Sequence, residues 1–80
     1  MRVVVTVMPK PGVLDPQGRA VGHALGTLGF AGVGEVRIGK VITLDVAETD
    51  PEAARAAGED MARRLLANTV IESYRVAVEA

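Results

Sequence analysis

The chain has no cysteine and no tryptophan, and its aromatic side chains are Phe30 and Tyr74 alone. Without cysteine there is no disulfide to staple the fold and no thiolate to hold a metal. Charge of one sign never accumulates: nine Lys and Arg are scattered against ten Asp and Glu, for a net charge of −1. With neither a basic stripe nor stacking aromatics, nucleic acid is not an expected partner. The run Val3-Val4-Val5 is as long as any apolar stretch gets, far short of the ~20 residues of a membrane span, so no membrane association is expected. No apolar signal core or cleavage site follows Arg2, which makes a cytoplasmic location the expectation. With one histidine and no cysteine, no Ser-His-Asp or Cys-His set is expected. No His, Cys and carboxylate cluster has metal-ligand spacing.

What is present is dominated by one stretch, residues 33–47. Val36, Ile38, Ile42, Leu44 and Val46 are apolar; Glu35, Arg37, Thr43 and Asp45 between them are polar. That period of two describes a strand with one buried face. The phase is the same on both sides of Gly39-Lys40, and no Asn-Gly or Asp-Gly turn interrupts it, so one strand is expected and not a hairpin. Such a strand would span roughly 45–50 Å, whereas a helix of about 15 residues covers only ~22 Å. Either half of its apolar face finds cover on a second copy of the chain, or the strand frays at one end. Gly39 is placed to bend or bulge it. Lys40, on the apolar face, suits a sheet corner or an interface rim.

Residues 1–8 alternate Val3, Val5 and Val7 against Arg2, Val4, Thr6 and Met8, which describes a central strand with two covered faces. Pro9-Lys10-Pro11-Gly12 ends it. Asp15 then caps a helix with Pro16 in its first turn. Val21, Ala24, Leu25 and Leu28 form its expected buried stripe. Gly18, Gly22 and Gly26 form a second stripe: either another backbone approaches there, or the helix is merely weakened, by ~1 kcal/mol per glycine. His23 faces away from the leucines and reads as a solvated or interface histidine. The glycine-rich loop 29–34 follows a helix and precedes a strand, the reverse of a phosphate cradle.

Thr49 or Asp50 caps a second helix with Pro51 in its first turn. Ala54, Ala57, Gly58, Met61, Ala62 and Leu65 make its expected buried face. Glu59–Arg63 and Asp60–Arg64 are acid-first pairs on the other, worth ~0.2–0.5 kcal/mol each. Asn68 can adopt the left-handed conformation that stops a helix. Tyr74, Val76 and Val78 alternate along a last strand. The whole, residues 1–80, is one α+β domain: an antiparallel sheet with two helices on one face, in the order β-α-β-α-β, the long strand bent at Gly39 and the sheet completed by dimerisation. Eighty residues bury only about 60–65% of their unfolded surface, so self-association is also the expected source of stability.

Three segments then resemble one family. They are Val13-Leu14-Asp15-Pro16-Gln17-Gly18, with Ala20-Val21 and His23-Ala24-Leu25 after it; Val36-Arg37-Ile38-Gly39-Lys40; and Leu65-Leu66-Ala67-Asn68-Thr69-Val70-Ile71-Glu72. In this order and spacing they resemble the PurS subunit of phosphoribosylformylglycinamidine (FGAM) synthase, over nearly the whole chain. Pro9-Lys10-Pro11 is richer in proline than that family leads one to expect. The resemblance implies a small non-catalytic subunit of a ligase of de novo purine biosynthesis. That enzyme converts formylglycinamide ribonucleotide, glutamine and ATP to FGAM, glutamate, ADP and phosphate. It implies a homodimer or homotetramer that bridges a glutaminase subunit (PurQ) and a large synthetase subunit (PurL) and supports ammonia transfer between them. ATP and magnesium belong to the complex, with no cofactor on this chain. Matched to those motifs, Arg37, Gly39, Lys40, Asn68, Thr69 and Glu72 are the candidate contact residues, followed by Asp15 and Gln17; Gly39 and Asn68 also read as backbone-geometry positions. The other reading is a small-metabolite-binding regulatory module of ACT-like type, with Gly32 and Gly34 at a dimer interface.

Overall fold

Alternation of period two builds three strands, and two proline-led, aspartate-capped segments build two helices. The computed structural model describes residues 1–79. It runs β1 (Arg2–Pro9), α1 (Pro16–Thr27), β2 (Lys40–Asp45), α2 (Pro51–Met61) and β3 (Glu72–Glu79). The sheet is antiparallel in the order β2-β1-β3. β1 is therefore the central strand, and Val3, Val5 and Val7 lose all solvent exposure. Ala54, Ala62 and Ala67 close over them from α2 and the segment after it. The opposite face of β1, with Val4, Thr6 and Met8, is only half-buried.

Both helices begin as their sequences dictate. The Gly18 N–H donates to Asp15 Oδ1 (2.9 Å), and the Ala53 N–H to Asp50 Oδ2 (3.3 Å). Of the two candidates before α2, Asp50 is the cap. Each carboxylate satisfies a first-turn donor that the helix itself leaves free.

Several local expectations are corrected. The long strand pairs with its neighbour only over Lys40–Asp45, because Val7 is the last β1 residue with a partner on β2. Residues 33–39 run beyond that ladder without strand pairing among the described residues. Helix α1 packs beyond the three-stranded ladder, against residues 36–38. Its packed side is the glycine stripe: Gly18 is buried beneath Val36, and Gly22 lies half-buried against the Val36 side chain. Of the expected stripe Leu25 is half-buried, whereas Val21, Ala24 and Leu28 stay exposed, Leu28 at 73%. Gly26 meets no neighbour.

Helix α2 ends in a π-helical turn, Ala62–Leu66, closed by the Ala67 N–H donating to the Ala62 carbonyl (2.9 Å). A π turn holds one residue more than an α turn and so rotates the chain beyond it. Leu66 and Ala67 thereby reach the core, while Leu65 is turned out, 83% exposed. Asn68 is not left-handed. On the surface of α2, Arg64 pairs with Asp60 (3.3 Å), but Arg63 also pairs with Asp60, and Glu59 pairs with Arg55 (3.6 Å) in place of Arg63.

The shape is elongated, 48 × 26 × 14 Å, with a radius of gyration of 15.9 Å. A compact domain of this length has about 12 Å. The accessible surface is 5606 Å², some 1,000 Å² beyond the ~4,600 Å² scaling gives for a folded monomer of this mass.

Candidate functional site

The three segments singled out in the sequence meet at the C-terminal end of β1. Lys40 lies across from Val7 on one side, and Glu72 across from Pro9 on the other. One residue further, the Lys10 N–H donates to the Ile71 carbonyl (2.9 Å). β1 thus ties residues 36–40 to residues 68–72.

Gly39 marks the point where the chain leaves the sheet. A Cβ there would run into the Val7 carbonyl oxygen and the Met8 sulfur. Only a residue without a side chain lets the two strands pass this closely.

The third segment joins through Asp15. Its Oδ1 caps α1, and its Oδ2 accepts from the Ile38 N–H (2.8 Å). One carboxylate therefore holds the helix start and residues 36–38 together. Gly18 allows the approach, since a Cβ there would overlap the Val36 carbonyl oxygen. Gln17 is exposed beside this clasp.

The Gly18 and Ile38 N–H groups hold the Asp15 carboxyl below its ordinary range, and the Arg37 charge adds to them against some desolvation. An unfolded aspartate titrates at about 3.9. The folded value is lower, so the clasp is fully stabilising above the unfolded value and is lost as pH falls through the folded one. In an acid titration followed by amide resonances, the Ile38 signal is expected to move with a midpoint below about 3.9, and Asp15→Asn should remove that transition. A midpoint at or above the ordinary aspartate value would show that the clasp does not form.

At the other side of β1, residues 68–72 close on themselves. The Asn68 N–H donates to Glu72 Oε1 (2.7 Å), the Val70 N–H to Asn68 Oδ1 (3.2 Å), and the Ile71 and Glu72 N–H groups to the Asn68 carbonyl (3.1 and 2.7 Å). Asn68 and Glu72 thus have geometric roles in the turn, and the turn displays apolar side chains, with Val70 80% exposed. Thr69 is exposed beside it.

Between the β1–α1 loop and residues 35–37 lies an open groove of about 330 Å³, lined by Lys10, Val13, Asp15, Arg19 and Arg37 among others. Arg37 reaches Glu35 (3.6 Å) and keeps a third of its side-chain surface exposed. Lys10 and Arg19 are site-lining residues that motif reading passes over. The only hint of Lys10 in the sequence is its place between two prolines.

A family model described as "PurS: Phosphoribosylformylglycinamidine (FGAM) synthase" matches residues 2–80. The chain is 47% identical over 78 residues to the phosphoribosylformylglycinamidine synthase subunit PurS of Bacillus subtilis (strain 168), covering 98% of this chain and 92% of that one. Its fold is similar to the crystal structure of Methanocaldococcus jannaschii PurS, one of the subunits of formylglycinamide ribonucleotide amidotransferase in the purine biosynthetic pathway. There the TM-score is 0.86 at 40% identity, over 98% of this chain and 94% of that one. It is also similar to a chain in the structure of PurLQS from Thermotoga maritima, with a TM-score of 0.84 at 29% identity, over 94% and 92% of the two chains. Matches over nearly the whole chain favour this reading over the ACT-like one, and the chain belongs to the PurS family of FGAM synthase.

Proposed function

We propose that this chain is the small, non-catalytic subunit of an FGAM synthase of purine biosynthesis, a single domain over residues 1–80 that acts in the cytoplasm by contact. It joins a PurQ-type glutaminase subunit to a PurL-type synthetase subunit and supports the passage of ammonia from one to the other. ATP and magnesium serve the synthetase subunit. The observation that carries this reading is the fold's likeness to a chain of PurLQS. The excess surface is consistent with it: some 1,000 Å² beyond a compact monomer is about what one partner contributes to a standard interface. Leu28, Phe30, Val33, Val41, Leu65 and Val70 are open to solvent, and residues 33–39 offer an unpaired stretch of backbone. Both features suit a homodimer, or a homotetramer built from two, in which a second copy extends the sheet beyond Lys40.

The contact residues in this reading are Arg37 and Lys40 at the strand exit, Thr69 and Glu72 at the closed turn, and Gln17 beside the clasp. Gly39, Asn68 and Asp15 hold the geometry that presents them. The role is tested by reconstitution with the other two subunits, ATP, magnesium, glutamine and formylglycinamide ribonucleotide. Glutamine-dependent turnover should require this chain, while ammonia-dependent turnover should survive without it. Glutamine-dependent turnover that is equal with and without the chain would refute the bridging role. Arg37→Ala should weaken assembly by about tenfold or more with a nearly unchanged melting temperature. A large stability loss with intact assembly would remove Arg37 from the contact set.

A further inference from the structure

The three methionines stand in different surroundings. Met1 packs against the core cluster, and Met61 sits on α2, 38% exposed. Met8 is half-buried near the end of β1, on the sheet face opposite the one that α2 covers. That face is open: Val41 and Thr43 on β2, and Ser73, Arg75 and Ala77 on β3, are all exposed there. Met8 also has little beside it in its own row. Its partner on β3 is the small Ser73, and towards β2 it meets Gly39, which has no side chain.

The thioether fills that gap. A Cβ at Gly39 would overlap the Met8 sulfur, so the sulfur lies against the Gly39 backbone where a side chain would otherwise stand. Methionine suits such a place, being unbranched and polarizable. The same property carries a chemical liability. Oxidation of a thioether follows its access to the oxidant, and the sulfoxide is polar where the thioether was apolar. Here one sulfur covers the strand exit on one side and fronts an open sheet face on the other.

We propose that Met8 is a peroxide-sensitive modification site whose oxidation loosens the strand exit at Gly39. A sulfur lone pair attacks one oxygen of hydrogen peroxide; the S–O bond forms as the O–O bond breaks. The leaving hydroxide takes the proton from the transferred oxygen and departs as water. Sulfur gives up two electrons and the peroxide accepts them. The sulfoxide oxygen is a strong acceptor that has no partner at the Gly39 backbone and is better satisfied in water. The side chain therefore leaves Gly39, and the exit loses its side-chain cover. Ile38 is the next residue, and its N–H donates to Asp15, so the clasp at the start of α1 reports the change. The site lies on the single chain and does not depend on the role in assembly.

The test treats the full chain with hydrogen peroxide, follows each methionine by peptide mass spectrometry and follows the Ile38 amide by hydrogen exchange. Met8 should gain one oxygen on the folded chain, as the exposed Met61 does. Exchange at Ile38 should quicken by about tenfold, in step with Met8 and not with Met61. Met61→Leu should keep this response. Met8→Leu, a swap of similar volume that packing tolerates, should abolish it and leave exchange in the untreated chain unchanged. Methionine sulfoxide reductases, which reverse the modification, should restore slow exchange. The proposal is overturned if Met8 stays unmodified on the folded chain after Met61 is fully oxidised, or if Met8 oxidises without a change at Ile38. It is equally overturned if Met8→Leu responds to peroxide as the parent does, or if exchange stays fast once Met8 is reduced.

Discussion

Gly58→Val is expected to lower the melting temperature by roughly 10–20 °C, equivalent to about 3 kcal/mol in a domain of this size. Gly58 is the point at which α2 rests on the sheet. A Cβ there would lie 2.7 Å from Val3 Cγ1 and 2.8 Å from Val76 Cγ1. Valine side chains have one strongly preferred rotamer and cannot swing aside as a lysine would. Val3 is fully buried in the central strand, so neither the strand nor the helix can shift without opening the only apolar layer the described chain seals. Gly58→Ala separates the two opposing effects. Alanine favours the helix by about 1 kcal/mol, which offsets part of the overlap, so its loss should be no more than ~1–2 kcal/mol. The check is thermal unfolding of both variants by circular dichroism. If Gly58→Val melts within a few degrees of the parent, α2 does not seat on the sheet in this way.

The parts of the fold that depend on one element's own pattern are legible in the sequence. The alternation along residues 35–46 holds in space: Val36, Ile38, Ile42, Leu44 and Val46 are half-buried, and Glu35, Arg37, Thr43 and Asp45 are exposed. The caps at Asp15 and Asp50 come from the chemistry of one side chain and one turn of backbone. The illegible parts depend on which element meets which. The apolar stripe of α1 carries the usual signature of a core-facing helix, yet Leu28 is exposed and the glycines make the contact. Periodicity shows that a helix has two faces and not which one the rest of the chain needs. Leu65 fails for a different reason. It sits at the correct α-helical spacing, and the π turn moves the spacing by one residue just where it would count.

The candidate site is legible as three separate segments and illegible as one place. Nothing in the sequence says that the Asp15 carboxylate spans 23 positions to the Ile38 N–H, or that Lys10 meets Ile71. These are consequences of β1 lying in the middle of the sheet. Gly39 reads in the sequence as a bend, and its role in space is close passage: the strand pairing ends next to it because its neighbours Val7 and Met8 sit against its backbone. Lys10 and Arg19 leave no periodic trace, since a solvated cation and a groove-lining cation have the same sequence signature.

Close passage at Gly39 makes the second large prediction. Gly39→Ala places a methyl group against the Val7 carbonyl oxygen, a backbone atom that no rotamer change can move. The strand exit must be displaced, at a stability loss of about 1–3 kcal/mol, or roughly 5–15 °C in melting temperature. The displacement travels further than the energy suggests. Ile38 is the adjacent residue, and its N–H is one of the two donors to Asp15. Moving it opens the clasp, frees the start of α1 from residues 36–38, and shifts Arg37 and Lys40 together. Gly34→Ala is the matched control, because a Cβ at Gly34 meets nothing within 4 Å; it should stay within about 0.5 kcal/mol of the parent. Hydrogen exchange at Ile38 distinguishes the two, with protection lost in Gly39→Ala and kept in Gly34→Ala. If assembly with the partner subunits requires the strand exit, Gly39→Ala should impair it even at temperatures where the variant is fully folded. An Ile38 amide that stays protected in Gly39→Ala would mean that close passage is not what fixes the exit, and that residues 36–38 are held by α1 alone.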